Sequence, residues 1–232
     1  MTRRGWDQLD VLFITGDAYV DHPSFGTPLL ARLLEAKGFR VGIIAQPDWR
    51  DPAAFKVMGR PRLFAAISAG AMDSMVNHFT AAKKVRNDDA YTPGGRAGAR
   101  PNRAVIAYTA AVKGAFKGLP TVIGGIEASL RRLAHYDYWD NKVRRSILVD
   151  SKADLLLFGM AETALVTLAR RISSGAAITE ITDIAGTAYM TRRGPDDAVE
   201  LPAYEDVAAS TAAYNRAFKM AAEQSSPYSG RP

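Results

Sequence analysis

The feature that most constrains this chain is a repeated unit: a short, unbroken apolar run that stops at glycine or a small polar residue, then a loop, then a helical pattern. Val11-Leu12-Phe13-Ile14-Thr15, closed by Gly16, lacks the polar alternation of a half-exposed strand and predicts a strand covered on both faces in a parallel sheet. Residues 28–38 carry a helix start, with Thr27 as cap and Pro28 in the first helical position, and a stop at Gly38. Leu29, Leu30, Leu33 and Leu34 form the stripe this helix buries. Residues 39–45, with Val41, Ile43 and Ile44, give a second strand and complete one βαβ unit. Residues 62–68, 120–125 and 153–159 supply three more apolar runs, and 104–117 and 162–173 two more helices. The alternation predicts an α/β fold: an open, mostly parallel, five-stranded, Rossmann-like sheet with helices on both faces and right-handed crossovers.

The pattern holds for residues 1–175, apart from a long excursion at 80–102 that has no apolar periodicity and contains Pro93, Gly94, Gly95, Gly98 and Pro101. Beyond Gly175 it weakens. Residues 178–190 and 199–204 predict a small β addition and 205–223 an alanine-rich amphipathic helix, so 176–224 reads as a small β/α extension. Residues 225–232, Ser-Ser-Pro-Tyr-Ser-Gly-Arg-Pro, have linker composition. No stretch approaches the ~20 apolar residues of a membrane span, and Met-Thr-Arg-Arg-Gly-Trp leads into charge rather than a signal-peptide core, so a cytoplasmic protein without membrane contact is expected.

Composition removes several chemistries. There is no cysteine among the 232 residues, which excludes disulfides, a thiol nucleophile, a thiolate zinc site and an iron–sulfur cluster ligated from within the chain. The net charge of +6 is partly concentrated, in Lys83, Lys84, Arg86, Arg96, Arg100 and Arg103 and again in Arg131, Arg132, Lys142, Arg144 and Arg145. Neither stretch interleaves base-stacking aromatics, so two solvated loops are preferred to a nucleic-acid surface.

In a parallel open sheet, ligands bind at the carboxyl ends of the strands, which directs attention to the loops there. After the first strand, Gly16 to Gly26 carries Asp17, Asp21, His22, Ser24, Phe25 and Gly26 before a helix N-terminus; the alternative is a rigid turn, with Asp21 or Thr27 capping the helix. After the third come Ser68 and Gly70. After the fourth, Gly124 and Gly125 allow close approach of a ligand, and Glu127 and Ser129 offer polar contacts. Glu162 follows the fifth, where interaction with the helix dipole is the competing role. The histidines, His22, His78 and His135, have no helical metal-site spacing. His22, beside Asp21, is the one to test as acid/base or as an axial ligand. No G-x-G-x-x-G or Walker motif follows any strand, which argues against a nicotinamide, flavin or nucleoside-triphosphate site.

Asp21-His22-Pro23-Ser24-Phe25-Gly26, Ile44-Ala45-Gln46-Pro47-Asp48-Trp49, Ser68-Ala69-Gly70-Ala71-Met72-Asp73-Ser74-Met75-Val76-Asn77, Pro93-Gly94-Gly95, Arg100-Pro101-Asn102-Arg103, Gly124-Gly125-Ile126-Glu127-Ala128-Ser129-Leu130-Arg131-Arg132 and His135-Tyr136-Asp137-Tyr138-Trp139 occur in this order. In combination they resemble the N-terminal region of the YgiQ-type radical SAM proteins. The resemblance implies a radical SAM barrel in cis, whose C-x₃-C-x₂-C triad holds a 4Fe-4S cluster that cleaves S-adenosylmethionine, and it puts that barrel beyond residue 232. It also implies a cobalamin-binding-domain type of sheet, in which the loops after strands one, three and four surround a corrinoid and Gly159-Met160-Ala161-Glu162 resembles a Gly-x-Glu with one extra residue. The histidine-on motif D-x-H-x-x-G is not matched, because Asp21 adjoins His22 and three residues separate His22 from Gly26.

The function expected on this resemblance is an accessory domain that covers the barrel and meets substrate or a corrinoid through its rim loops, with no catalytic or metal-ligating residue of its own. The alternative is a stand-alone basic module for RNA or another polyanion, its binding falling steeply with salt.

Overall fold

The computed structural model describes residues 4–225. In chain order its elements are β1 (Val11–Thr15), α1 (Gly26–Ala36), β2 (Val41–Ala45), β3 (Phe64–Ser68), α2 (Ser74–His78), α3 (Ala104–Ala115), β4 (Thr121–Gly124), α4 (Gly125–Leu130), β5 (His135–Asp137), β6 (Lys142–Arg144), α5 (Ile147–Ser151), β7 (Leu155–Leu157), α6 (Glu162–Ser173), β8 (Thr187–Ala188), α7 (Tyr204–Ala209) and α8 (Thr211–Gln224). Short 3₁₀ turns lie at Pro52–Phe55, Pro93–Gly95 and Ile178–Glu180.

By its internal contacts the chain separates into two units. One comprises the residues up to Arg132 together with Ile147–Met190; the other comprises Leu133–Ser146 and the residues from Thr191 onwards.

The first unit holds a six-stranded sheet of order β2-β1-β3-β4-β7-β8. The five strands expected from the apolar runs are there and parallel, and β8 adds a sixth, antiparallel to β7. β1 is buried along its whole length because both of its faces are covered. Val11 and Phe13 face one cluster with Leu34 of α1 and Leu165 and Leu168 of α6, whereas Leu12 and Ile14 face another with Val105, Tyr108 and Val112 of α3 and Ile147 of α5. Burying each such leucine, isoleucine or valine contributes about 1.5–3 kcal/mol, so the alternation along β1 ties it to both helical layers. The order turns at β1: α1, after β1, and α3, after β3, lie on opposite faces, and the crevice this creates at the carboxyl ends is a topological switch point.

The structure departs from the sequence reading in several places. α1 begins at Gly26 with Phe25 as N-cap and no side-chain cap, since the Asp21 carboxylate is engaged by Arg32 instead. Of the β addition expected at 178–190 and 199–204 only Thr187–Ala188 forms a strand. The helix expected over 205–223 is two, α7 and α8, because Ser210 is extended (φ −139°, ψ 122°) and caps α8 through a bond from the Ala213 N–H.

The excursion at 80–102 is solvated over most of its length, with Lys83, Lys84, Arg86 and Arg96 exposed as expected, but Asp89, Thr92 and Arg100 are buried and make it a strap bonded to the sheet rim. The Ala18 N–H donates to the Tyr91 carbonyl (2.9 Å), and the Gln46 amide donates to Thr92 Oγ1 (2.7 Å) and to the Gly16 carbonyl (3.0 Å). Within the second basic stretch, Arg131 pairs with Asp73 and Arg132 stacks over the Phe158 ring at 4.9 Å.

In the second unit β5 and β6 form a hairpin in which Asp137 accepts the Trp139 and Asp140 N–H groups and pairs with Arg144 Nε at 2.7 Å. Arg145 lies over the Tyr204 ring of α7 at 5.6 Å. The expected linker falls almost wholly at 226–232, outside the described residues. Among the described residues no helix is long and apolar enough to cross a membrane.

Candidate functional site

The carboxyl ends of β1, β3 and β4 frame a cavity of about 110 Å³ on the side of the sheet that carries α1 and α6. Its walls are apolar: Phe13, Ala66, Val122 and Leu157 from the strands, Leu30 from α1 and Leu165 from α6. Its rim is polar and small, formed by Thr15, Asp17, Ser68, Gly70, Gly124 and Gly125, with Tyr19, Val20 and Phe25 on the loop after β1. Two of the glycines are there for closeness. A Cβ on Gly70 (φ +108°) would lie 2.0 Å from Asp17 Oδ1, and one on Gly16 would lie 2.2 Å from the Ala69 carbonyl oxygen, so side chains there would push the ends of β1 and β3 apart.

Asp17 sets the electrostatics of the rim. Its Oδ2 accepts the Ala71 N–H at 2.6 Å and its Oδ1 faces Arg100 Nη2 at 3.0 Å. Arg100 also bonds both oxygens of Asp89 (Nε 3.1 Å, Nη2 3.2 Å) and, through Nη1, the Ala69 carbonyl at 2.9 Å. Its side chain is 0% exposed. One guanidinium thus holds the loop after β1, the end of β3 and the strap together, shared between two buried carboxylates. Burial raises the Asp17 carboxyl against the opposing effects of the Ala71 bond and Arg100. Burial also pushes Asp89 upward, but there the Tyr91 N–H and Arg100 prevail and hold it below its usual range.

Of the residues singled out in the sequence, Asp17, Phe25, Gly26, Ser68, Gly70, Gly124 and Gly125 line this cavity. Asp21, His22 and Ser24 do not: all three are exposed, Asp21 pairs with Arg32 at 2.7 Å, and His22 Nδ1 accepts the Ser24 N–H at 3.1 Å. Glu127 is 1% exposed and lies inside the fold, its Oε2 accepting the Ser74 N–H (2.8 Å) and its Oε1 the Val105 N–H (3.0 Å), so it serves the first turns of α2 and α3. Burial pushes its carboxyl upward despite these bonds. Ser129 Oγ accepts the Gly159 N–H at 3.3 Å, and Glu162 opens α6, half-buried and outside the cavity.

Sequence reasoning missed Arg100 and Asp89, and with them the ionic lock of the rim. Arg100-Pro101-Asn102-Arg103 stood out only as a motif, and its charge suggested solvent. It also missed Phe13, Leu30, Leu157 and Leu165 as walls, because their apolarity is already explained by the core. No group of three or more His, Asp or Glu able to hold a metal ion occurs among the described residues.

The model of the family described as radical SAM N-terminal matches residues 1–232. The chain belongs to that family. A UPF0313 protein of Geobacter sulfurreducens is 59% identical over 99% of this chain, one of Pseudomonas aeruginosa 57% over 87%, and one of Rhodopseudomonas palustris 48% over its full length. These are YgiQ-type relatives, and the chain spans only 38%, 27% and 38% of their respective lengths. Among solved structures it is similar to the radical S-adenosylmethionine methyltransferase TsrM of Kitasatospora setae. The TM-score is 0.51 at 17% identity, over 79% of this chain and 29% of that one. That likeness shows the α/β fold; TsrM was also solved with cobalamin and a [4Fe-4S] cluster bound.

Proposed function

We propose that this radical SAM N-terminal chain is the ligand-binding cover of a radical SAM enzyme, with the cluster chemistry carried by a radical SAM domain in cis. The observation that supports it is the cavity at the switch point: an apolar slot between sheet and helices, opening at a glycine-rich rim beside Asp17. Narrow apolar walls with polar groups confined to one end suit a flat ring attached to a larger polar molecule, either a corrinoid's nucleotide base or an aromatic part of the substrate. An iron–sulfur cluster does not fit these 232 residues, which offer no thiolate. A corrinoid fits only in part: the slot and the open glycine rim suit its base, but His22 lies outside the cavity on the exposed part of the loop, so no cobalt–imidazole bond from His22 belongs to this reading.

Two measurements test it. Titration of the chain with 5,6-dimethylbenzimidazole is expected to shift the methyl resonances of Val122, Leu157 and Leu165, and Ala161→Trp, which places a large ring at the cavity wall, is expected to abolish the shifts. Unperturbed methyls would refute the ring slot. Equilibrium dialysis against hydroxocobalamin then assigns the ring: retention that Ala161→Trp removes gives it to a corrinoid, and no retention gives it to the substrate.

A further inference from the structure

We infer that the outward flank of α4, with Met160 beside it, is the surface on which the radical SAM domain of the same polypeptide docks. The inference rests on the reading above and assigns the contact to residues that the sequence analysis quotes within motifs but gives no role.

α4 presents its inner face, Glu127 and Ala128, to the core, while Ile126 and Leu130, four residues apart on the helix, are 43% and 62% exposed. Met160 is 86% exposed. The Gly159 N–H bond to Ser129 Oγ ties the backbone just before Met160 to this helix. At the other side α2 is tied to α4 by the Ser74–Glu127 bond and the Asp73–Arg131 pair, which brings in Val76, 45% exposed. Exposed apolar side chains scattered singly need no explanation, but Ile126 and Leu130 share one face of α4, and Met160 and Val76 stand on segments bonded to that helix, an arrangement of the kind that marks an interaction surface.

Two observations name the occupant. The chain covers only 27–38% of the relatives above, so more than half of such a polypeptide lies outside this fold. α4 also starts at Gly125, part of the cavity rim and next in the chain to Ile126, so a domain seated on α4 adjoins the cavity mouth. A docked radical SAM domain therefore shares an edge with the ligand slot, as transfer of a short-lived radical to a bound ligand requires.

The test is photo-cross-linking in the polypeptide that carries the radical SAM domain in cis. p-Benzoylphenylalanine is placed at Met160 in one sample and at Val57, 71% exposed and on the segment after the first 3₁₀ turn, in another. The expected result is a cross-link from position 160 into the radical SAM domain, none from position 57, and loss of the first when Leu130→Asp is added. Cross-links from 160 that reach only a second copy, only residues 133–146 or 191–225, or nothing overturn the inference. Cluster content of the same sample separates the two levels. A reconstituted 4Fe-4S cluster without the cross-link refutes the docking surface alone, whereas a polypeptide with no cluster-binding domain refutes the reading beneath it and removes the occupant.

Discussion

Replacing Arg100 by methionine keeps most of its aliphatic volume and removes only the guanidinium, which isolates the charge. The side chain is fully buried and is bonded to Asp17, Asp89 and the Ala69 carbonyl, so the variant takes the guanidinium from two buried carboxylates and one carbonyl, leaving the carboxylates only neutral donors such as the Ala71 and Tyr91 N–H groups. Breaking a buried ion pair from one side costs about 3–5 kcal/mol, a large part of the 5–15 kcal/mol that holds a typical domain together. With a urea dependence of about 2–3 kcal/mol per molar for a chain of this size, the unfolding midpoint should fall by about 1–2.5 M.

The pH dependence discriminates further. In Arg100→Met the folded-state pKa of Asp17, already raised by burial, rises further above the ~3.9 of an unfolded aspartate, and that of Asp89 moves up from its lowered value, because a cation no longer opposes burial. A raised folded pKa favours the protonated folded form, so the deficit is largest at neutral pH and shrinks as pH falls through the raised values. Urea unfolding followed by circular dichroism at pH 7.5 and pH 5 measures both effects. A loss below about 1 kcal/mol at pH 7.5, or one equal at the two pH values, would refute the ionic-lock argument.

Two other perturbations follow from the same geometry. Gly70→Ala forces a Cβ at positive φ to within 2.0 Å of Asp17 Oδ1 and should cost at least about 1–3 kcal/mol, while Gly26→Ala, with nothing within 4 Å, should be neutral or mildly stabilising; similar unfolding midpoints for the two contradict the close-approach account. Burial pushes Asp10 upward, but bonds from the Arg40 side chain and N–H and from Arg62 outweigh it and hold its carboxyl at about 2. This depressed value gives stability that is present above pH ~4 and lost as pH falls towards 2, so Asp10→Asn should be most destabilising at neutral pH and converge with the wild type near pH 2; a constant difference across that range contradicts it.

What the sequence made legible is what periodicity encodes. β1, β2, β3, β4 and β7 stand out because strands buried on both faces must be apolar throughout, and the glycines that close them mark the rim. The strap is different. Its conformation is fixed by backbone bonds such as Ala18 to Tyr91 and by one buried arginine, neither of which leaves a repeating pattern, and a guanidinium surrounded by other basic residues reads as solvated until its two aspartates, one of them far away in the chain, are seen beside it. Asp21 and His22 show the converse. Their adjacency on a rim loop suggested shared chemistry, yet Arg32, eleven residues on, claims the carboxylate and the imidazole faces solvent. Two-residue β8 and the five- and six-residue helices α2, α4 and α5 are too short to carry a period at all.

The carboxylate of Glu127 works as a mechanical coupling. It rides on α4, whose first residue forms part of the cavity rim, and grips the leading turns of two other helices with one oxygen each. A rotation of α4, from a guest at the rim or a domain on its flank, must carry α2 and α3 with it or break a buried bond. Tension at either place is felt at the other, and the ends of three helices move as one linkage.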